Sequence, residues 1–426
     1  MTMPMIIALA VTVLMIILIM VDKLPFGAPP LLALLLLVVL GVTDIKTAFG
    51  GFSNSTIVML ASFMAIMAAL QKTSFIVKFR EMMYKMAGHG GFKAYVALIL
   101  IVMLGCSLFG TGSTAYYVLT IGLLSTLPYS KQLPPSKVLM PAGFAANHPL
   151  LPFNTALQYG IVVAVLESAG VIANVNLVKF TFVNVALSLG FFVWCLLAYK
   201  IMPDHPIAEA TEEAKANQTA VSTLPHNKEI ITYICFIVAV VGMLLQSVIG
   251  DAGYALTGLA VGGLLVFGIM DFTEIRNAIS APIILMSAGV IGIADALGST
   301  GLTALVGQTV ANMLGTNVNP FILIFVFCVL TSVLATLTGS TIGTVYVFAP
   351  MAIATCVSLG LDPTAAAAAI VISGWCGHFL PIDGMPAMIM GAGNYTMKEF
   401  WKFTIPQYFI RLLFLTVGAV LIFPMA

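Results

Sequence analysis

Residues 111–114 read Thr-Gly-Ser-Thr, and the same four residues recur in the same order at 338–341, 227 positions later. Both copies sit in apolar surroundings, "FGTGSTAYYVLTI" and "LTGSTIGTVYVFAP". Thr111, Gly112, Ser113 and Thr114, with Thr338, Gly339, Ser340 and Thr341, combine hydroxyls with a backbone freed by glycine. Free N–H groups at a helix start favour an anion, while carbonyls and hydroxyls favour Na⁺. Phenols follow both copies, at Tyr116 and Tyr117 and at Tyr346.

Two further stretches carry polar chemistry. In "GFAANHPLLPFNT" (143–155), Pro149 and Pro152 break a helix near His148, Asn154 and Thr155. In "GWCGHFLPIDGMP" (374–386), Pro381 and Pro386 do so near His378 and Asp383. Proline has no N–H and leaves a carbonyl unbonded four residues back, which offers a cation ligand without a charged side chain. Asn154 and Thr155 are candidate substrate ligands. Ser113, Ser340, the region of Pro149 and Asp383 are candidate Na⁺ ligands. An acid beside a helix break at membrane depth is a functional candidate by default.

The rest of the chain must hold these groups in a hydrophobic medium. Of 426 residues, 61% are hydrophobic and 8% charged, and mean hydropathy is +1.10. Apolar runs near the 20 residues needed to span a bilayer recur throughout, without the alternation of a β-barrel. This composition predicts an all-α polytopic membrane protein. The first apolar run has no basic segment before it, so it reads as a first transmembrane helix. Six scattered cysteines form no CxxC or Cys/His pattern and read as small buried residues. No basic cluster suits nucleic acid, no nucleotide-binding motif is present, and no nucleophile–base or metal constellation points to an enzyme.

Hydropathy places helices near 5–21, 25–43, 55–71, 177–200, 229–249, 253–270, 281–297 and 400–424, with interrupted helices at 138–165 and 364–392. Residues 91–127 and 319–361 read instead as two short apolar segments joined at a Thr-Gly-Ser-Thr tip. Polar, non-helical backbone at membrane depth must be buried in protein or line a cavity, so each reads as a re-entrant hairpin. A polar linker, 203–228, divides the chain.

Other matches support a duplication: Ala-Leu-x-x-Thr in "AALQKT" (68–73) and "DALGST" (295–300), and "KFT" at 179–181 and 402–404. The expected plan is a first repeat over 1–202, with scaffold helices in 1–71, and a second over 229–426, with scaffold helices in 229–297. Five crossings and one hairpin per half require the halves to be inverted. Inverted repeats with broken helices are a signature of secondary transporters. With the linker in the cytoplasm, fifteen of the 17 Lys and Arg residues fall on its side, leaving only Lys46 and Lys179 opposite. Both termini then lie outside a cell (inner) membrane. Residues 73–87 form an expected interfacial amphipathic helix, with a chargeless counterpart at 300–315. Arg411 is expected to snorkel toward the cytoplasmic surface.

The segments "GFSNSTIVMLASFMAIMAALQKT" and "GAGNYTMKEFWKFTIPQYF", with the hairpin tips and broken helices between them, resemble the divalent anion/sodium symporter family of the ion transporter superfamily. The resemblance covers nearly the whole chain. It implies a homodimeric elevator that uses a Na⁺ gradient to move di- or tricarboxylates, a small anionic substrate in a lipid bilayer. Tips in that family typically read Ser-Asn-Thr, where this chain has Gly112-Ser113-Thr114 and Gly339-Ser340-Thr341. A serine hydroxyl thus replaces an amide with more donors. Two alternatives stay open: a Na⁺/H⁺ antiporter titrating at Asp383, and a membrane subunit fed by a separate substrate-binding protein. H⁺ in place of Na⁺ is likewise open.

Overall fold

The computed structural model describes residues 1–21, 24, 28–70, 72–87, 89–111, 114–125, 127, 131–151, 156–171, 175–207, 224–280, 282–302, 305, 309, 319–338, 341–381 and 384–425. All regular structure among these residues is helical, as the composition predicts. The first half contains α1 (Met3–Val21), α2 (Ala28–Val39), α3 (Ile45–Ala48), α4 (Ser55–Leu70) and α5 (Phe75–Ala87). It continues with α6 (Gly91–Phe109), α7 (Thr114–Ser125), α8 (Pro135–Ala145), α9 (Ala156–Ser168) and α10 (Leu177–Ala198). The second half opens with α11 (His226–Ile249), α12 (Asp251–Val266), α13 (Phe272–Ile279), α14 (Pro282–Thr300) and α15 (Pro320–Thr338). It closes with α16 (Thr341–Ser358), α17 (Thr364–Ser373), α18 (Gly384–Gly393) and α19 (Met397–Ile422). Four helices among the described residues are long and apolar enough to cross a bilayer, namely α6, α10, α15 and α19.

The 227-residue offset runs through the elements. Helices α4 and α14 start at Ser55 and Pro282, and α7 and α16 at Thr114 and Thr341. Even the short helices obey it. Asp44 caps α3 by accepting the Lys46 and Thr47 N–H groups, and Asp271 caps α13 by accepting that of Glu274. These two helices are too short for a periodic signal and were not foreseen, although their Asp caps are legible.

Packing between the halves comes in reciprocal pairs. Helix α2 packs on α14 and α12 on α4; α7 packs on α18 and α16 on α9; α8 packs on α18 and α17 on α9. Helices α10 and α19 pack on each other. Their contacts run antiparallel. The Trp194 indole donates to the Phe403 carbonyl (3.0 Å), Gly190 faces Phe414, and Gly418 faces Ala186. A methyl at Gly190 would lie 2.6 Å from Phe414 Cγ, and one at Gly418 2.6 Å from Ala186 Cβ. Each glycine lets the opposite helix approach, as small residues do in membrane interfaces.

The hairpins differ from expectation in one respect. Their first arms, α6 and α15, are not short. Each has 19 residues, about 28 Å, nearly the hydrocarbon thickness. No proline interrupts either run after its start. Lys93 lies in the first turn of α6, which puts that turn at the headgroup level. The amphipathic helix at 73–87 forms as α5, whereas most of its counterpart at 300–315 lies outside the described residues.

The "GAGNYTMKEF" segment is a joint. Asn394 adopts φ +51°, and a methyl at Gly393 would lie 1.9 Å from the Tyr395 ring. The Tyr395 phenol donates to the Ser136 carbonyl (2.6 Å) and accepts from the Met140 N–H (3.0 Å), which ties the start of α19 to α8. Thr396 and Glu399 form the capping box that starts α19.

At one level of the molecule the halves are tied by charge. Lys72, just after α4, pairs with Glu274 of α13. Glu229 of α11 accepts from the Ser74 hydroxyl (2.8 Å) and backbone N–H at the start of α5. The Lys72 ammonium, with the Asp271 N–H behind it, holds the Glu274 carboxyl below its ordinary value. A depressed carboxylate contributes stability above its unfolded pKa and loses it as pH falls through the folded value. Both partners are about one-third exposed, so reversing one charge is expected to cost only about 0.2–1 kcal/mol. Lys72→Glu should lower the unfolding temperature slightly, and Lys72→Glu with Glu274→Lys should restore it. A double variant no more stable than the single would show that the pair is not what joins these elements.

Candidate functional site

The polar tips stand at helix breaks. Helix α6 ends at Gly110, whose φ of +93° turns the chain out of the helix, and α7 resumes at Thr114. Thr111 is buried between them. Tyr116 donates to the Val102 carbonyl (2.6 Å) and stacks on Phe109, so this phenol braces the hairpin. In the second half, α15 ends at Thr338 and α16 resumes at Thr341. Gly112, Ser113, Gly339, Ser340, Asn154, Thr155 and Asp383 lie outside the described residues, as do the side chains of Thr114 and Thr338.

The interrupted helices break over segments of equal length, 146–155 between α8 and α9 and 374–383 between α17 and α18. Pro149 is buried in the first. Each break docks on the hairpin of its own half. The Leu150 and Leu151 N–H groups both donate to the Ser107 hydroxyl (2.8 and 2.9 Å), one turn before the first tip. Gly377 presses on α15 just before the second tip, where a methyl would lie 1.8 Å from Thr336 Oγ1. Gly374 faces Thr341, the first residue of α16.

The two breaks also meet each other. The Asn147 amide donates to the Trp375 carbonyl (3.4 Å), and the Phe144 and His378 rings are 6.2 Å apart. The helix ends beside both tips and the two breaks thus meet in one region, where they supply backbone donors and acceptors and Thr111 and Thr341 supply hydroxyls. Residues 16–372 match the citrate transporter (CitMHS) family. The chain belongs to that family.

Citrate transporter family membership makes the protein a multi-pass membrane secondary transporter, not an enzyme. The uncharacterized transporter YfbS of Escherichia coli (strain K12) is 24% identical over 214 residues, 50% of this chain. The aligned stretch is only 33% of that longer relative. The YdaH transporter of Alcanivorax borkumensis shares the fold, with a TM-score of 0.64 at 16% identity over 99% of this chain and 98% of that one. MtrF of Neisseria gonorrhoeae, described within a class of antimetabolite efflux pumps, aligns with a TM-score of 0.59 at 14% identity over 100% of this chain and 96% of that one.

Two residues at the transporter's centre were not singled out from the sequence. Ser107 and Asn147 are isolated polar residues in apolar runs, and only their docking reveals a role. His148 is fully buried, stacks on Phe191 at 3.8 Å, and donates through Nδ1 to the Phe144 carbonyl (2.7 Å). A carbonyl only accepts, so Nδ1 carries a proton. Arg411 corrects the sequence reading. Instead of reaching for the membrane surface, it is 1% exposed and donates to the Trp375 carbonyl (3.0 Å) at the second break. All six cysteines are buried and unpaired, in line with the reading as core residues.

Proposed function

We propose that this family member moves a small carboxylate, with citrate the first candidate, across the cell (inner) membrane by symport with Na⁺. The observation that carries this reading is the convergence of both hairpin ends on both helix breaks. That arrangement offers helix N-termini to a carboxylate and carbonyls and hydroxyls to a hard cation. The family's name supports citrate, and the tip hydroxyls suit a polycarboxylate that needs several donors.

The two halves act as inverted repeats in this proposal. Support comes from the 227-residue offset shared by the tips, the Asp44 and Asp271 caps and the starts of α4 and α14, and from the reciprocal pairing of helices. It comes also from the antiparallel course of α10 and α19, since equivalent helices related by a twofold axis are antiparallel only when that axis crosses them. The cytoplasmic assignment of the linker is supported by Lys72, Glu229 and Glu274 meeting beside Leu224, whose N–H donates to the Lys72 carbonyl (3.3 Å). The scaffold is α1, α2, α4, α11, α12 and α14. The moving unit comprises the hairpins, the broken helices, α10 and α19. A homodimer built on the scaffold completes the proposal.

The test is uptake of radiolabelled citrate, malate, succinate and sulfate by purified protein in liposomes, with and without an inward Na⁺ gradient. Citrate uptake that depends on the gradient is expected. Ser113→Ala and Ser340→Ala should each reduce it about tenfold, the effect of losing one bond worth roughly 1.4 kcal/mol, while the protein stays folded. Wild-type rates in both variants would remove the tips from the site. Na⁺-driven H⁺ movement without any anion, lost in Asp383→Asn, would replace symport with antiport.

A further inference from the structure

Arg411 lies well inside the 26-residue helix α19 and is among the largest fully buried side chains in the protein. A guanidinium at that depth is costly unless something offsets its charge. Among the described residues no carboxylate does so, because their ion pairs are Lys72–Glu274 and His205–Glu399. The compensation comes from a helix end. Nη2 donates to the carbonyl of Trp375, the residue after the C-cap of α17 (Gly374). The Cys376 thiol is a second neighbour. Helix α17 ends there, which puts the negative end of its dipole near the guanidinium. Two further side chains bond carbonyls of this break, the Trp401 indole of α19 on Phe379 (3.0 Å) and the Asn147 amide of the first break on Trp375 (3.4 Å).

Half-helix C-terminal ends are where secondary transporters bind their coupling cations. In the first half the corresponding end is that of α8, and the matching position in α10 is Asn184 by the 227-residue offset of the tips or Ser188 by the 223-residue offset of the KFT match. Both side chains are uncharged, buried and, among the described residues, without a hydrogen-bond partner. At this position α19 carries a fixed positive charge and α10 an uncharged side chain.

We infer that Arg411 is a tethered cation that permanently fills the cation place at the end of α17, so that the mobile coupling cation is carried by the first half alone. This rests on the proposed cation-coupled transport and adds an asymmetry to it. The guanidinium cannot leave with the substrate, so it screens the α17 end in every state of the cycle and adds nothing to the ion stoichiometry.

Removing the charge should open a Na⁺ site that the wild type lacks. The first readout is thermal unfolding of purified protein in NaCl against choline chloride at equal ionic strength. Arg411→Gln should gain roughly 3–6 °C more from Na⁺ than the wild type does, as expected for a newly saturated site. Arg411→Lys, which keeps a cation, should respond like the wild type. The second readout is the ratio of ²²Na⁺ to citrate taken up in liposomes, which should rise by one ion in Arg411→Gln and stay unchanged in Arg411→Lys. A folded Arg411→Gln with the wild-type Na⁺ stabilisation would overturn the inference and leave Arg411 a structural cap. An altered citrate KM with an unchanged ion ratio would overturn it in favour of an anion-binding arginine. If Arg411→Gln is recovered from membranes only in NaCl, the inference is supported; if it is lost equally in both salts, it fails. Absence of Na⁺-driven citrate uptake in the wild type would count against the transport proposal, and the unfolding measurement would still decide the role of Arg411.

Discussion

Gly377→Ala is expected to abolish uptake, whereas Gly391→Ala leaves it at the wild-type rate. Gly377 lies in the second break and Gly391 in α18 after it, and neither needs a positive φ. They differ in what an added methyl would meet. At Gly377 it would lie 1.8 Å from Thr336 Oγ1 and 2.7 Å from the Ser332 carbonyl oxygen. At Gly391 nothing lies within 4 Å. The wall behind Gly377 cannot retreat easily. Thr336 donates to the Ser332 carbonyl (2.8 Å), and the Ser332 hydroxyl bonds the Cys328 carbonyl (2.6 Å) and the Tyr408 phenol (2.9 Å). Overpacking of this kind costs about 1–3 kcal/mol. Here the strain falls on the contact that holds the break against the second hairpin tip, so the functional loss should exceed the loss of stability. Liposome uptake and thermal unfolding of both variants measure this. Wild-type uptake by Gly377→Ala would mean that break and hairpin need not touch.

The same region shows what a sequence can and cannot disclose. The interrupted helices were legible because prolines punctuate apolar runs. Gly377 carries no pattern of its own; its importance is a distance to another helix. Arg411 was misread for a related reason. One charge in an apolar helix looks the same whether it snorkels or is buried, and only the packing of α19 against the second break distinguishes the two. The short helices α3 and α13 escaped because four to eight residues give no amphipathic period, although Asp44 and Asp271 stand at the repeat offset. The long arms of the hairpins were underestimated because the polar tip drew the eye to the break and away from the uninterrupted run before it. The 227-residue offset legible in the tips recurs in the starts of α4 and α14 and of α7 and α16.

A cross-link between Asn54→Cys and Glu167→Cys is expected to stop transport, and reduction to restore it. The reason lies in an asymmetry between otherwise matched halves. Helix α9 packs on both α4 and α14, through Ala164 against Ile57, Ile284 and Ala288, with Leu157, Ala61 and Met64 beside them. At the edge of this contact the Asn54 amide donates to the Glu167 carboxylate (2.7 Å). Its equivalent, α18, makes no comparable pairing with α4 or α14 among the described residues. If the halves are inverted repeats, as proposed, their unequal contacts describe one of two states, and exchange of the contacts between α9 and α18 gives the other. In the proposed elevator α9 slides along α4 and α14 on every cycle. The Asn54–Glu167 contact is broken each time, and a disulfide or a short bifunctional reagent there locks the protein. The single cysteine variants should transport, since the Asn54–Glu167 bond is a contact of one state alone. The native cysteines are all buried and should compete little for the reagent. The measurement is citrate uptake in liposomes before cross-linking, after it, and after reduction, with the cross-linked fraction read on a gel. Fully cross-linked protein that transports at the rate of the reduced form would rule out the sliding of α9 and leave local opening of the hairpin tips as the way the site changes sides.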